Sequence, residues 1–174
     1  MKHLGIAGLI LFLGLGSAFA ADKTTAPAKG EGSMSLLTAI ADRNTDAVIR
    51  LLNDGADPNT RDADNRTALI HAAATGQFRM MNALLEKKAN INAQAKDGTT
   101  ALMATVLYGD PTNVDILIAA KADVNIRDAK GKTALKYAEE RLIPPPGTKV
   151  EGYGHDLSNI YQTMVIMLKA AGAK

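Results

Sequence analysis

Apolar residues in this chain come in short bursts at helical spacing, separated by small and polar residues. After Thr67, Thr100 and Thr133 they recur with the period of a helix, and each threonine stands where its hydroxyl can cap the first N–H groups. We call this helix A. A second apolar stretch follows Gly76 in one segment and Gly109 in the next, where Asp110-Pro111 supplies an N-cap and a proline at the first helical position. This is helix B. Beyond helix B come Asp64-Asn65, Asp97-Gly98 and Lys130-Gly131, turn dipeptides suited to positive φ, so a tight hairpin-like turn is predicted to join one helix pair to the next.

The pattern is periodic. Thr67-Ala68-Leu69 returns as Thr100-Ala101-Leu102 and Thr133-Ala134-Leu135, with a step of 33 residues. Gly55-Ala56-Asp57-Pro58-Asn59, Lys88-Ala89-Asn90-Ile91-Asn92 and Lys121-Ala122-Asp123-Val124-Asn125 keep the same step. Two independent motifs in one register mark a repeat architecture.

These residues resemble the ankyrin repeat, whose pattern runs D-x-x-G-x-T-P-L-H-x-A-A-x-x-G, then a second helix rich in Val and Leu, then G-A-D-V-N. The resemblance covers residues 33–174 and implies an all-α solenoid of about four helix-turn-helix repeats with short hairpin turns, at about 33–60, 61–93, 94–126 and 127–174. The chain departs from the pattern in several places. Ala68, Ala101 and Ala134 replace its proline, and Ile70, Met103 and Lys136 replace its histidine, so the family's Thr to His hydrogen bonds are missing and modest stability is expected. Met34-Ser35-Leu36 stands in for the threonine motif in the first unit with no hairpin before it, as in a terminal capping repeat. In the last unit, Leu168 to Ala173 matches the end of helix B only if about 18 residues, roughly 143–160, are inserted after helix A.

Residues 1–20 break the repeat and read as a signal peptide: Lys2, then the apolar run Leu4 to Leu15, then Ala18-Phe19-Ala20 as an A-x-A cleavage site. The run is short for a membrane span, so no stable membrane insertion is expected after cleavage. Residues 21–32, rich in Lys, Thr, Ala, Pro and Gly, read as a flexible linker. Export to the periplasm of a Gram-negative bacterium is the expected destination. Secretion from a eukaryotic cell is the weaker alternative, although Asn65-Arg66-Thr67 fits a glycosylation pattern.

Composition narrows the classes further. Hydrophobic residues make up 47% of the chain and aromatics only 4%, which suits thin, closely stacked helices. Twenty basic against 18 acidic residues leave a net charge of +2, far from the excess that phosphate neutralisation requires, so nucleic acid is not an expected partner. The absence of cysteine excludes disulfides, thiolate metal sites and lipid attachment through a lipobox.

A helix pair cannot bury its apolar face alone, so stacked pairs form one core and a curved outer wall. The resemblance implies that partners dock on the concave side, at hairpin tips and the exposed side of helix A. Carried over by position, the contact residues are Arg61, Asp64, Arg66 and Thr75, then Lys96, Asp97, Leu107 and Tyr108, then Arg127, Lys130, Lys132, Glu140 and Arg141. Any one of these charges also fits an ordinary solvated face. Tyr108 is either an aromatic anchor for a partner or packing over the turn before helix B.

In the insertion, Pro144-Pro145-Pro146-Gly147 predicts an extended spur at the end opposite the hairpin tips. The following helix crowds Ile160, Tyr161, Met164, Val165, Ile166, Met167 and Leu168 together, so a cover is expected: the spur folded back as a cap, or else a partner or second copy. A monomer is expected, with the C-terminal repeat as the surface where two copies would pair.

Chemistry finds little support. His155, Asp156 and Ser158 carry the residue types of a nucleophilic triad, but three neighbours on one loop cannot hold its geometry, and Asp156 or Ser158 reads more simply as the N-cap of the last helix. Gly152-Tyr153-Gly154 lacks the third glycine and preceding strand of a dinucleotide loop. Of His3, His71 and His155, the first leaves with the signal peptide, and His71 is expected to be satisfied between repeats. Asp62 and Asp64 lack the remaining ligands of a calcium loop. No catalytic residue, cofactor or metal is predicted. Two roles stay open: an adaptor or helper of another exported protein, as the resemblance to small exported bacterial ankyrin proteins that support catalases implies, or an inhibitor or immunity protein blocking a cell-wall hydrolase or toxin, for which a rigid concave wall with a protruding spur is well shaped.

Overall fold

The computed structural model describes residues 34–142 and 156–174, and of 156–158 only the backbone. The predicted signal peptide at 1–20, the linker at 21–32 and positions 143–155 of the insertion, with their proline and glycine motifs and His155, lie outside the described residues. The described chain forms eight helices: α1 (Leu36–Ala41), α2 (Thr45–Asn53), α3 (Ala68–Ala74), α4 (Phe78–Glu86), α5 (Ala101–Tyr108), α6 (Pro111–Ala119), α7 (Ala134–Leu142) and α8 (Asp156–Ala170). Odd-numbered helices are helix A of successive repeats, even-numbered ones helix B. Each helix packs on its partner within the repeat and on its counterpart in the next repeat, which makes a two-row helical solenoid.

The threonines start helix A by one device. Thr67, Thr100 and Thr133 each accept a hydrogen bond through Oγ1 from the N–H three residues on, at Ile70, Met103 and Lys136, all at 3.3 Å. Ser35 does the same for Thr38 at 3.1 Å, so the first repeat keeps the cap. Asp110 caps α6 by accepting from the N–H groups of Thr112 and Asn113. The leucines that follow the caps, Leu36, Leu69, Leu102 and Leu135, are all buried, and each contributes roughly 1.5–3 kcal/mol of hydrophobic stabilisation. Ala68, Ala101 and Ala134, where the family pattern has proline, are also buried.

The hairpins repeat as faithfully. Asp62 pairs with Arg66, Ala95 with Thr99 and Asp128 with Lys132 through backbone bonds of 3.0 Å, and the tips turn at Asn65, Gly98 and Gly131 with φ of 62°, 80° and 74°. Successive hairpins are joined to each other: the Lys96 N–H donates to the Asp64 carbonyl and the Ala129 N–H to the Asp97 carbonyl, both at 2.9 Å. The helix B ends share a second left-handed position, held by Gly55, Lys88, Lys121 and Gly172.

One asparagine per repeat ties the segment after one helix B to the next. Asn59 Oδ1 accepts from the Asn90 N–H, Asn92 Oδ1 from Asp123 and Asn125 Oδ1 from Lys174, across sequence separations of 31, 31 and 49 residues. The third separation is longer by 18 residues, the length of the inserted segment. α8 begins at Asp156 and runs 15 residues, so positions 156–160 are its first turns, and Ser158 lies inside the helix rather than at its N-cap.

The expected crowding of α8 is also corrected. Tyr161, Met164, Val165 and Leu168 are buried and Ile160 and Met167 half-buried, because α8 faces both α6 and α7. Asn159, Gln162, Thr163 and Lys169 give the helix a polar side, on which Ile166 is 61% exposed.

Candidate functional site

Two register positions on the hairpin-and-helix-A face shape its surface. At the first, the repeats carry Asp62, Ala95 and Asp128; at the second, His71, Ala104 and Tyr137. In the second repeat Asp62 Oδ2 lies 2.8 Å from His71 Nε2, so His71 is satisfied within its own repeat and not between repeats. In the fourth repeat the Tyr137 hydroxyl donates to Asp128 Oδ2. Between them the third repeat has two methyl groups, Ala95 and Ala104, and no side chain bridges hairpin to helix.

That gap opens a cleft of about 370 Å³. Ile70, His71 and Ala74 from α3, Ala104, Leu107 and Tyr108 from α5, and Arg66, Asp97 and Thr99 from the hairpins line it. Its floor is apolar and its rim carries Arg66 against Asp97. The Asp97 carboxyl sits below its ordinary value, chiefly because the Thr99 N–H donates to it, with the Arg66 charge adding to the effect.

Tyr108 stands over this cleft, 51% exposed. Its ring rests on Gly76, the turn between α3 and α4, where a Cβ would collide with the ring carbon Cε1. The turn it covers therefore belongs to the preceding repeat, not to its own helix B. The Cε1–Cζ–OH side of the ring lies against Gly76 and about half of the residue stays exposed, so it packs over a turn as one of its two readings had it. At the next step the counterpart of Tyr108 is Arg141. Gly109 there is covered instead by Tyr161, whose hydroxyl accepts a 3.2 Å hydrogen bond from Arg141 Nη1.

The structure brings Arg66, Asp97, Leu107 and Tyr108 together and gives several other expected contact residues internal work. Arg61 Nη1 donates to the carbonyls of Asn65 and Gln94, Gln94 Nε2 to those of Gly98 and Arg127, and Arg127 Nη1 to that of Gly131. Arg61 and Arg127 are thus hairpin clamps. Lys132 is paired with Glu140 at 2.7 Å and lies over the Tyr137 ring, while the Thr75 hydroxyl bonds back to the carbonyls of its own helix. Asp64, Lys96 and Lys130 are exposed at the hairpin tips. The sequence reading missed Ile70, Ala74, Thr99 and Ala104 as cleft residues. Their signal was present, because only the third repeat replaces both an aspartate and its helix A partner by alanine.

Asp62 and Asp128 share one electrostatic arrangement. Burial pushes each carboxyl up, but hydrogen bonds outweigh it: Arg66 N–H, His71 and Asp64 N–H on Asp62, and the Tyr137 hydroxyl with the Lys132 and Lys130 N–H groups on Asp128, leave both below the ordinary carboxylate value. The Tyr137 phenol is pushed up to about 12, first by its hydrogen bond to Asp128 and then by burial. These groups hold hairpins onto helices. Among the described residues no group of three or more His, Cys, Asp or Glu side chains is placed to hold a metal ion, and no helix is long and apolar enough to cross a membrane.

Models described as ankyrin repeats in three copies and ankyrin repeats in many copies match residues 6–95 and 84–138. No curated protein matches the chain at a significant level. With the 33-residue step, the threonine caps and the linked hairpins all in register, the chain belongs to the ankyrin-repeat family, whose repeats mediate protein–protein interaction.

Proposed function

We propose that this protein is a non-enzymatic binding module of the periplasm or the secreted fraction, an adaptor or helper of another exported protein. It engages that protein through the cleft between the second and third repeats. The observation that carries this reading is Tyr108, a half-exposed aromatic held in place by Gly76 beside an apolar floor. An anchored ring loses little conformational freedom on binding, which is why such residues concentrate binding energy. Export rests on the sequence of residues 1–20.

The test is capture of partners from periplasmic extract by the chain beginning at Ala21, compared with its Tyr108→Ala variant. A specific partner is expected to be retained by the first and to bind roughly tenfold or more weakly to the second, with unchanged helical content. Equal capture by both would remove the cleft from the interface. Recovery of a cell-wall hydrolase that loses activity when bound would replace the adaptor by the inhibitor role. In a Gram-negative host, an unprocessed chain confined to the cytosol would end the exported reading.

A further inference from the structure

Among the described residues the hairpin ladder stops at the fourth repeat, and the cleft beside that hairpin is mostly basic. Each hairpin hands its bonds forward: the Asp64 and Asp97 carbonyls accept from the next hairpin's backbone, and Arg61 and Gln94 donate to the next hairpin's carbonyls. In the fourth repeat the equivalent acceptor is the Lys130 carbonyl and the equivalent donor is Arg127. Among the described residues no further hairpin receives either.

Beside them lies a cleft of about 680 Å³ whose lining includes Arg127, Lys130, Lys132, Lys136, Lys169 and Lys174, with Glu139 as its one acidic residue. Lys169 is paired with Glu139 at 3.1 Å and Lys132 with Glu140. Among the described residues no carboxylate lies within ion-pair distance of Arg127, Lys130, Lys136 or Lys174. In a chain with a net charge of only +2, the described lining of this cleft thus carries six basic side chains against one acidic one.

We propose that this end of the ladder is a second docking surface, and that its occupant is an acidic, extended segment of a partner protein. Such a segment matches both features at once: its carboxylates pair with Arg127, Lys130, Lys136 and Lys174, and its backbone N–H donates to the Lys130 carbonyl, to which no described residue donates. The inference rests on the reading that this chain binds other proteins, but it uses residues outside the Tyr108 cleft, so the two can fail separately.

A labelled ten-residue Glu/Asp peptide tests it, with the Gln/Asn counterpart and a ten-nucleotide single strand as comparisons, titrated into the chain beginning at Ala21. The acidic peptide is expected to bind, the amide peptide not to bind, and affinity to fall about tenfold between 50 and 300 mM salt because the contacts are exposed charges. Binding should disappear in Lys130→Glu/Lys136→Glu, whose positions are exposed, and persist in Tyr108→Ala. No binding, or full binding by the double variant, overturns the inference. So does tighter binding of the oligonucleotide, which would make the surface a general polyanion site. Sedimentation showing a wild-type dimer that the double variant abolishes would give the surface to a second copy and overturn it too.

Discussion

Asn113 is the residue least at home in its position. It is fully buried in α6; its Nδ2 donates to Asp110 Oδ2 at 2.9 Å, while Oδ1 has no partner among the described residues. At the same register the second repeat has Met80 and the fourth has Met164, both fully buried. A buried acceptor without a donor costs about 1–3 kcal/mol, so Asn113→Met is expected to raise stability by about 1 kcal/mol after some repacking. Asp110 keeps its cap through Oδ1. A denaturant midpoint unchanged or lowered by this substitution would show that the amide is satisfied in solution.

The Asp128–Tyr137 pair makes a prediction of a different kind. Asp128 titrates below its ordinary value of 3.8, so its contribution is present above pH 3.8 and is lost as pH falls through the folded value. Tyr137 titrates above 10.0, at about 12, so its contribution is present below pH 10 and is lost as pH rises through 12. The stability difference between the natural chain and Tyr137→Phe should therefore be positive across the middle of the range, roughly 1–2 kcal/mol, and shrink at both ends. Melting temperatures of the two proteins measured from pH 3 to 11 check this. A constant difference would mean that the hydroxyl does not bond to the carboxylate.

Among the elements, the hairpins show how one backbone position takes on different demands along a stack. Gly98 and Gly131 both sit at positive φ, but a Cβ on Gly98 would lie 2.7 Å from Asp128 Cα and Ala129 N, whereas one on Gly131 meets nothing within 4 Å. Gly131→Ala should cost about 1–2 kcal/mol for the left-handed backbone alone. Gly98→Ala should cost clearly more, because the following hairpin must move as well. Equal losses on chemical unfolding would mean that the hairpins are not in contact. The helix B ends offer the reverse case. Lys88 and Lys121 occupy the left-handed position that Gly55 and Gly172 fill without strain. Lys88→Gly and Lys121→Gly are each expected to raise the melting temperature by a few degrees, and a fall would show that the lysine stems contribute packing that outweighs the strain.

At the scale of the molecule, stacking makes each repeat's stability depend on its neighbours, and the asparagine ties and hairpin bonds are the visible couplings. The two ends of the stack differ in kind. Among the described residues repeat one begins at Ser35 with a side-chain cap, whereas repeat four carries the last hairpin, beside a mostly basic cleft. Its last helix acquires, through the 18 additional residues, six positions beyond the nine-residue length of α2, α4 and α6. Tyr161 belongs to that extension, and it covers Gly109 where Tyr108 covers Gly76.

Much of this was legible in the order of residues, for a physical reason: helix caps, turn dipeptides and apolar period are local, and a local signal repeated three times in one register leaves one way to stack. Thr67, Thr100 and Thr133 fixed where helix A starts, and the left-handed turn residues fixed where each hairpin bends. What tertiary structure alone decided is which side chains meet across a step of the stack, since those contacts join residues about 33 positions apart and depend on how hairpins and helices settle against each other. Arg61 bonded to carbonyls of its own and the next hairpin, His71 paired within its own repeat, and Tyr108 came to rest on Gly76. The cleft itself arose from what the third repeat lacks, because an empty place becomes visible only when its neighbours are set beside it.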